Sequence, residues 1–597
     1  MGSPYTTFET YLNNRLDKYT MSKFQLNYFK PKRIILDDLA NQSVEMNESY
    51  QPYEMISFQS YNPLYKLFFE LNDSNYDSVA FNHRYHIIDL KTVWDSVKSE
   101  KAGRDMFVKF APLLDPVRYL IGRYKSQPVL DLPSLEGVCH EKLATHHNAS
   151  YIDNFFCYLS NQILHTHKFL HGIEYYGSYV GVQKKYRMNL ADDMDYLVQS
   201  DYFNENKGKL YELEEYENPF ANFGSRNNKN KLNIHGGSNV SHISLDEVLL
   251  EGETEELTVD ESVEITHDDC VYEKESVVHS EDSSNDSRVN YSSEEEEEGT
   301  EEEEDDTEEE DDDDDEEEED DTEDEDTEEE EEDTEEEEQE SELPLNGYIY
   351  DFPIQMICLE KCHGTLDRLF LKRILDMESA ASALFQVIMI LMAYQKAFAF
   401  THNDLHTNNI MYVETQEEFI YYKAAGGKIY KVPTYGRIFK LIDFGRAIYR
   451  FQGRVFCSDS FAPGGDASTQ YNCEPFMNEN KTRLDPNMSF DLCRLGCSIY
   501  DFILEVEEEQ DPDFEPDLLQ QTIIDWVTDD NGKNILYMKN GEERYPNFKL
   551  YKMIARTVHN KTPEDQLKNP LFASFETNVA IPEGALAIDI DALPSYI

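Results

Sequence analysis

The chain has 597 residues, enough for more than one domain, and a formal net charge of −70. Between Glu294 and Glu342 lie 41 acidic residues without one Lys or Arg, and the remainder is still acidic without them. Nucleic-acid backbones and anionic membranes repel such a chain, so neither is an expected partner, whereas protein partners, basic ones included, are.

Residues 1–84 mix polar and aromatic residues without a clear period and are expected to form an N-terminal extension. Met106–Pro112, MFVKFAP, is an apolar run with one charge, Lys109, and predicts a strand. In Tyr151–Leu170 the residues Phe155, Tyr158, Leu159, Ile163 and Leu164 recur at helical spacing, and Gly172–Val182 predicts another strand. Met194–Leu213 has the character of a local helix pair, but residues 201–345 as a whole are expected to form a disordered acidic insertion. They hold too little apolar surface to offset chain entropy.

Order resumes near Tyr348 with a strand, a short connection and a helix. Ser382–Phe400 then places Leu384, Val387, Ile388, Leu391 and Tyr394 on one face, which predicts a core helix. No apolar run reaches the length of a membrane span by this reading. The segment between Asn409 and Asp443 predicts an extended hairpin turning at Ala425–Gly427, and the chain beyond is helical in parts to about Phe575. A strand-rich portion with one helix, an insertion and a larger helical portion together predict an α+β chain in two lobes. Nine cysteines, an odd number without a signal-peptide pattern, point to a reducing compartment and a cytoplasmic location.

The chemistry concentrates in FTHNDLHTNNIMY, Phe400–Tyr412, and in FKLIDFGRAIY, Phe439–Tyr449. Phosphoryl transfer asks for one carboxylate to accept the attacking hydroxyl's proton, and for a carboxylate and an amide to hold magnesium against the nucleotide phosphates. Asp404 fits the first role, and Asn409 and Asp443 supply hard oxygens for the second. The five-residue step from Asp404 to Asn409 lets a tight loop turn both toward one cleft, and Gly445 permits a sharp turn after Asp443.

His402-Asn403-Asp404-Leu405, Asn409 and Asp443-Phe444-Gly445 together resemble the signature of the eukaryotic protein kinase superfamily. The resemblance implies a two-lobed protein-kinase-like fold: an N-lobe begun in residues 85–200 and finished with the hinge in 346–361, a C-lobe in 362–580, and a tail in 581–597. It implies ATP and Mg2+ as cofactors, with Lys109 on the phosphates and Glu360 and Cys362 offering backbone groups to adenine. Asp367 falls near the ribose, and Asp491 braces the catalytic loop with Gly496 five residues on. Thr562–Phe575 is similar to the closing helix of such domains. His406 stands where the family has a lysine, which makes it a second candidate catalytic residue.

The departures are specific. No glycine-rich loop precedes Lys109. Ser160, Asn161 and Gln162 occupy the place where the family presents a glutamate to that lysine, and Asp153 lies a turn or more earlier. Asn403 replaces the arginine that reads a phosphorylated activation segment. With the acidic insertion, the chain resembles kinases encoded by giant DNA viruses, for which the location would be host cytoplasm or virion. The resemblance implies a monomeric serine/threonine-protein kinase acting on protein substrates. Two other readings stand beside it: a pseudokinase scaffold that holds basic partners through the acidic segment, and a small-molecule phosphotransferase, which the His-Asn-Asp-Leu-His run also resembles.

Overall fold

A strand buried on both faces needs a near-continuous apolar run, and Asn346–Glu360 supplies one, with Phe352, Ile354, Met356, Ile357 and Cys358 fully buried. In the computed structural model, which describes residues 50, 52–124, 131–137, 139–191, 193–214, 345–504, 514–546 and 548–597, this run is an inner strand of the main antiparallel sheet.

In chain order, β1 (Met55–Gln59) is followed by a separate three-stranded meander, β2 (Tyr85–Asp89), β3 (Thr92–Asp95) and β4 (Glu100–Gly103). Next come β5 (Met106–Pro112), helix α1 (Ala149–His167), β6 (Tyr175–Asn189), β7 (Tyr211–Leu213) and β8 (Asn346–Glu360). The main sheet runs β1-β6-β8-β5, with β7 also on β8, and its register sets Lys109 opposite Ile357 and Met106 opposite Glu360. Helix α1 starts at Asn148, whose side chain accepts the Ser150 N–H, so one unpaired amide of the first turn is satisfied.

Two boundaries differ from expectation here. Residues 52–84 are part of the fold, because β1 pairs with β6, and Phe68 and Phe81 pack on Phe155 of α1 at 5.1 and 5.5 Å between ring centroids. Their elements are short strands and 3-10 turns such as Pro63–Leu67, which carry no helical or strand period. Residues 201–214 also belong to the fold, since Tyr211–Leu213 pairs with Gly347–Ile349. The rest of the expected insertion, 215–344, lies outside the described residues.

The second half carries β9 (Gly364–Thr365), α2 (Leu366–Leu371), α3 (Met377–Phe398), β10 (Ile410–Glu414), β11 (Phe419–Ala424), β12 (Lys428–Pro433), β13 (Arg437–Leu441), β14 (Ile448–Phe451) and β15 (Arg454–Cys457). After these come α4 (Phe490–Ile503), α5 (Leu518–Trp526), α6 (Lys549–Thr557), β16 (Glu576–Thr577) and β17 (Ala587–Asp589). It is therefore mixed, with three small sheets, rather than simply helical. Helix α3 has 22 residues and is long and apolar enough to cross a membrane, contrary to the sequence reading, but 89% of its most apolar window is buried inside the protein. An Asp376–Ser379 capping box starts it.

The predicted hairpin is present as β11 and β12, turning through positive φ at Ala425, Gly426 and Gly427. The stretch Thr562–Phe575 is not one helix. A turn at Pro563–Gln566 stops, and a 3-10 segment begins at Pro570, which has no N–H to continue the first. Nor is 581–597 a loose tail: β17 lies parallel to β11, Lys396 Nζ donates to the carbonyls of Ile590 and Asp591 at 2.7 Å each, and the Tyr596 hydroxyl meets His167 Nε2 of α1 at 2.6 Å.

Candidate active site

The loop after α3 is fixed from three sides. Thr401 exchanges backbone hydrogen bonds with Ile448 at 2.9 and 3.0 Å. Asp491, buried in the first turn of α4, accepts the N–H groups of His402 and Asn403, both at 2.9 Å. Burial raises the Asp491 carboxyl above its usual range, and those amides pull it partly back. Asn403 has φ +63°, a left-handed conformation that Asn tolerates better than most residues. Its amide donates to the Arg446 carbonyl at 3.0 Å and accepts the Tyr471 hydroxyl at 2.8 Å.

That bracing leaves Asp404, His406 and Asn409 with few freedoms. The Asn409 Nδ2 group donates to the Asp404 carbonyl at 2.9 Å and to His406 Nε2 at 3.1 Å. Its Oδ1 is buried and has no hydrogen-bond partner. An amide whose two hydrogens are engaged and whose oxygen is free is oriented as a ligand for a cation. Burial lowers the His406 pKa to about 4, with Asp404 opposing, so the ring is neutral at pH 7 and accepts the Asn409 hydrogen. His406 thus orients Asn409 through this hydrogen bond.

Asp404 is 2% exposed, and its Oδ1 accepts the Tyr551 hydroxyl at 2.8 Å. Burial alone would raise its pKa, but Arg446, His406, Arg494 and the Tyr551 hydroxyl hold it below the usual carboxylate range. Arg446 is itself paired with Asp466.

Lys109 sits between two carboxylates, Asp153 Oδ2 at 2.6 Å and Asp443 Oδ1 at 2.9 Å. All three side chains are buried, and although burial disfavours the ammonium, Asp153 and Asp443 together raise its pKa. The other oxygen of Asp153 accepts the Phe444 N–H at 2.8 Å, so one side chain of α1 holds both the lysine and the backbone after Asp443. Asp443 has φ +62°, a strained non-glycine conformation of the kind that gathers at functional sites. Phe444 packs on Phe156, Phe400 and His402 at 4.7, 5.9 and 5.6 Å, joining α1 to the loop. Antiparallel pairing of β10 with β13, extended by the Ile442 N–H to the Asn409 carbonyl at 3.0 Å, brings Asn409 beside the Asp443 segment.

The place aligned with the family's glutamate does not serve Lys109: Asn161 donates to Glu174 at 2.6 Å, and Asp153, earlier in α1, takes the lysine. Asp153 is the only carboxylate in α1, and a sole acid in a buried helix is the signal that would have found it. Asp367 Oδ1 accepts the Thr407 hydroxyl at 2.6 Å, tying α2 to the loop. At the end of β8 the Glu360 carboxylate bridges Lys440 Nζ at 2.6 Å and the Glu174 N–H at 2.7 Å, and the Glu360 N–H donates to the Glu174 carbonyl. The Lys361 N–H goes to Asp105, whereas the N–H of buried Cys362 makes no backbone hydrogen bond among the described residues. Tyr551, Arg446, Arg494 and Lys440 are site residues that the sequence did not single out.

Comparison with protein-family models and with curated proteins returned no match.

Proposed function

We propose that the chain is an ATP- and magnesium-dependent protein kinase of two-lobed architecture, transferring the γ-phosphate to Ser or Thr hydroxyls of protein substrates. The observation that carries this reading is Asn409: both amide hydrogens are engaged and its buried oxygen is unpartnered, immediately before a strand pair that leads to Asp443. An amide oxygen and a carboxylate are hard ligands that suit magnesium, which takes its remaining ligands from phosphate and water. Among the described residues no group of three or more His, Cys, Asp or Glu is placed to hold a metal without such help.

In this reading Lys109, fixed by Asp153, orients the phosphates, and Cys362 offers its N–H to the adenine. Asp404 accepts the acceptor's proton as the new oxygen–phosphorus bond forms and ADP leaves with the bridging oxygen. The acidic composition of Glu294–Glu342 favours basic protein substrates, and the resemblance and the cysteine usage favour a monomer in the cytoplasm, or in the virion if the source is viral.

The test is a thermal-shift titration with Mg-ATP followed by radiolabel transfer to histone, casein and choline. Label on Ser or Thr of histone or casein supports the proposal. Binding without transfer supports a pseudokinase scaffold, and label on choline a small-molecule phosphotransferase; either refutes it.

A further inference from the structure

The Asp404 carboxylate bonds to the Tyr551 hydroxyl, and His406 Nε2 bonds instead to Asn409. Two buried guanidiniums, Arg446 and Arg494, also act on Asp404. Arg494 comes from the middle of α4, and its Nε donates to the Tyr551 hydroxyl at 2.9 Å. That hydroxyl in turn donates to Asp404 Oδ1 at 2.8 Å. The phenol therefore accepts from a guanidinium and donates to a carboxylate, an arrangement in which each bond polarises the next.

Tyr551 is not poised as a mobile lid. It is 1% exposed, stacked on Phe548 at 5.2 Å, with the guanidinium carbons of Arg494 and Arg446 over its ring at 5.1 and 5.7 Å. Helix α6 presents Leu550, Tyr551, Ile554 and Ala555 inward, so the ring is held by packing as well as by hydrogen bonds.

We infer that Tyr551, held by Arg494, is a positioning residue for Asp404: it fixes Oδ1, so that Oδ2 is the oxygen presented to the acceptor hydroxyl. This rests on the kinase reading of the site. Arg446 and Arg494 favour the charged carboxylate, and the phenol carries the influence of Arg494 to it.

The experiment compares full-length wild type with Tyr551→Phe, which keeps the ring and removes the donor. The expected result is a loss of about tenfold in kcat with KM for Mg-ATP unchanged, the size of one hydrogen bond to a charged group. The acid limb of the kcat–pH profile moves up by about half a unit or more, because Asp404 loses a donor that favours its charged form. A merely structural tyrosine would lower the melting temperature without moving that limb. Should Tyr551→Phe fail to fold, Arg494→Lys, which keeps charge but loses the fixed Nε donor, takes the same readout. Wild type active on protein with kcat and acid limb unmoved in the variant overturns the positioning role alone. Wild type that transfers phosphate to nothing overturns the kinase reading, and this inference with it.

Discussion

Replacing Lys109 with Met should turn a buried ion-pair cluster into a repulsive one. Asp153 Oδ2 and Asp443 Oδ1 lie 2.6 and 2.9 Å from one nitrogen, so the two oxygens are less than about 6 Å apart. Without the ammonium, two buried carboxylates face each other at that distance, and at an effective dielectric constant near 20 their repulsion is about 3 kcal/mol. Relief comes by protonating one of them. A carboxyl whose folded pKa is raised makes the folded state bind more protons, so the variant gains stability as the pH falls toward that pKa and loses it as the pH rises through it. Urea denaturation is expected to show Lys109→Met less stable than wild type by about 3 kcal/mol or more at pH 7.5, with a smaller deficit at pH 5. Adding Asp153→Asn removes one of the opposed charges but keeps an acceptor for the Phe444 N–H. Lys109→Met/Asp153→Asn should therefore be more stable than Lys109→Met alone, with a coupling of about 3 kcal/mol in the double-mutant cycle. A double variant no better than the single, or a deficit independent of pH, would refute the reasoning.

Three other outcomes follow from the same geometry. Asp443→Asn should abolish magnesium-dependent nucleotide binding, whereas Asp404→Asn should spare binding and lower kcat by about a hundredfold or more; calorimetry and transfer assays separate them, and equal loss of affinity in both counts against distinct roles. Acid should destabilise the protein below neutrality, because burial lowers the pKa of both His83 and His171 to about 3 while an unfolded imidazole titrates near about 6.5. The unfolded chain then binds more protons between those values, so stability falls as pH falls, by about 2 kcal/mol per ring from pH 7 to 5; an unfolding midpoint flat over that range contradicts it. Gly496→Ala places a Cβ 2.9 Å from Trp526 Cβ where α4 meets α5, and should cost about 1–3 kcal/mol by chemical denaturation; an unchanged midpoint would mean the helices separate freely.

The geometry of the loop was legible because its residues are close in sequence. Asp404 and Asn409 are five apart, and the amides that Asp491 accepts follow a helix whose apolar face is plain in the residues. The hairpin at Ala425–Gly427 was legible for a similar reason, since glycines mark a turn between apolar runs. Asp153 was missed because spacing borrowed from a family points at Ser160–Gln162, two helical turns further on, where Asn161 serves Glu174 instead. Tyr551 and Arg494 could not be read at all. They meet Asp404 across separations of 147 and 90 positions, and only packing of α4 and α6 brings them to it. The tail was unreadable for a related reason: β17 is three residues long, too short to show a period, and its order comes from β11 and α3.

The pairing of β6 with β8 also has a consequence for synthesis. Strand β6 is complete at Asn189, but the strand that covers its edge ends at Glu360. A ribosome adding about 5–20 residues per second takes on the order of ten seconds to make the interval. Through that time Tyr179, Val180, Val182 and Tyr186, all buried in the finished protein, stand on a strand whose edge has no β8 to pair with, the kind of surface on which nascent chains associate. The 41 carboxylates are made within the same interval, immediately ahead of β8, and charge of one sign keeps neighbouring chains apart. Exchanging those carboxylates for amides is expected to lower soluble yield during expression while leaving unchanged the melting temperature of the protein that does fold.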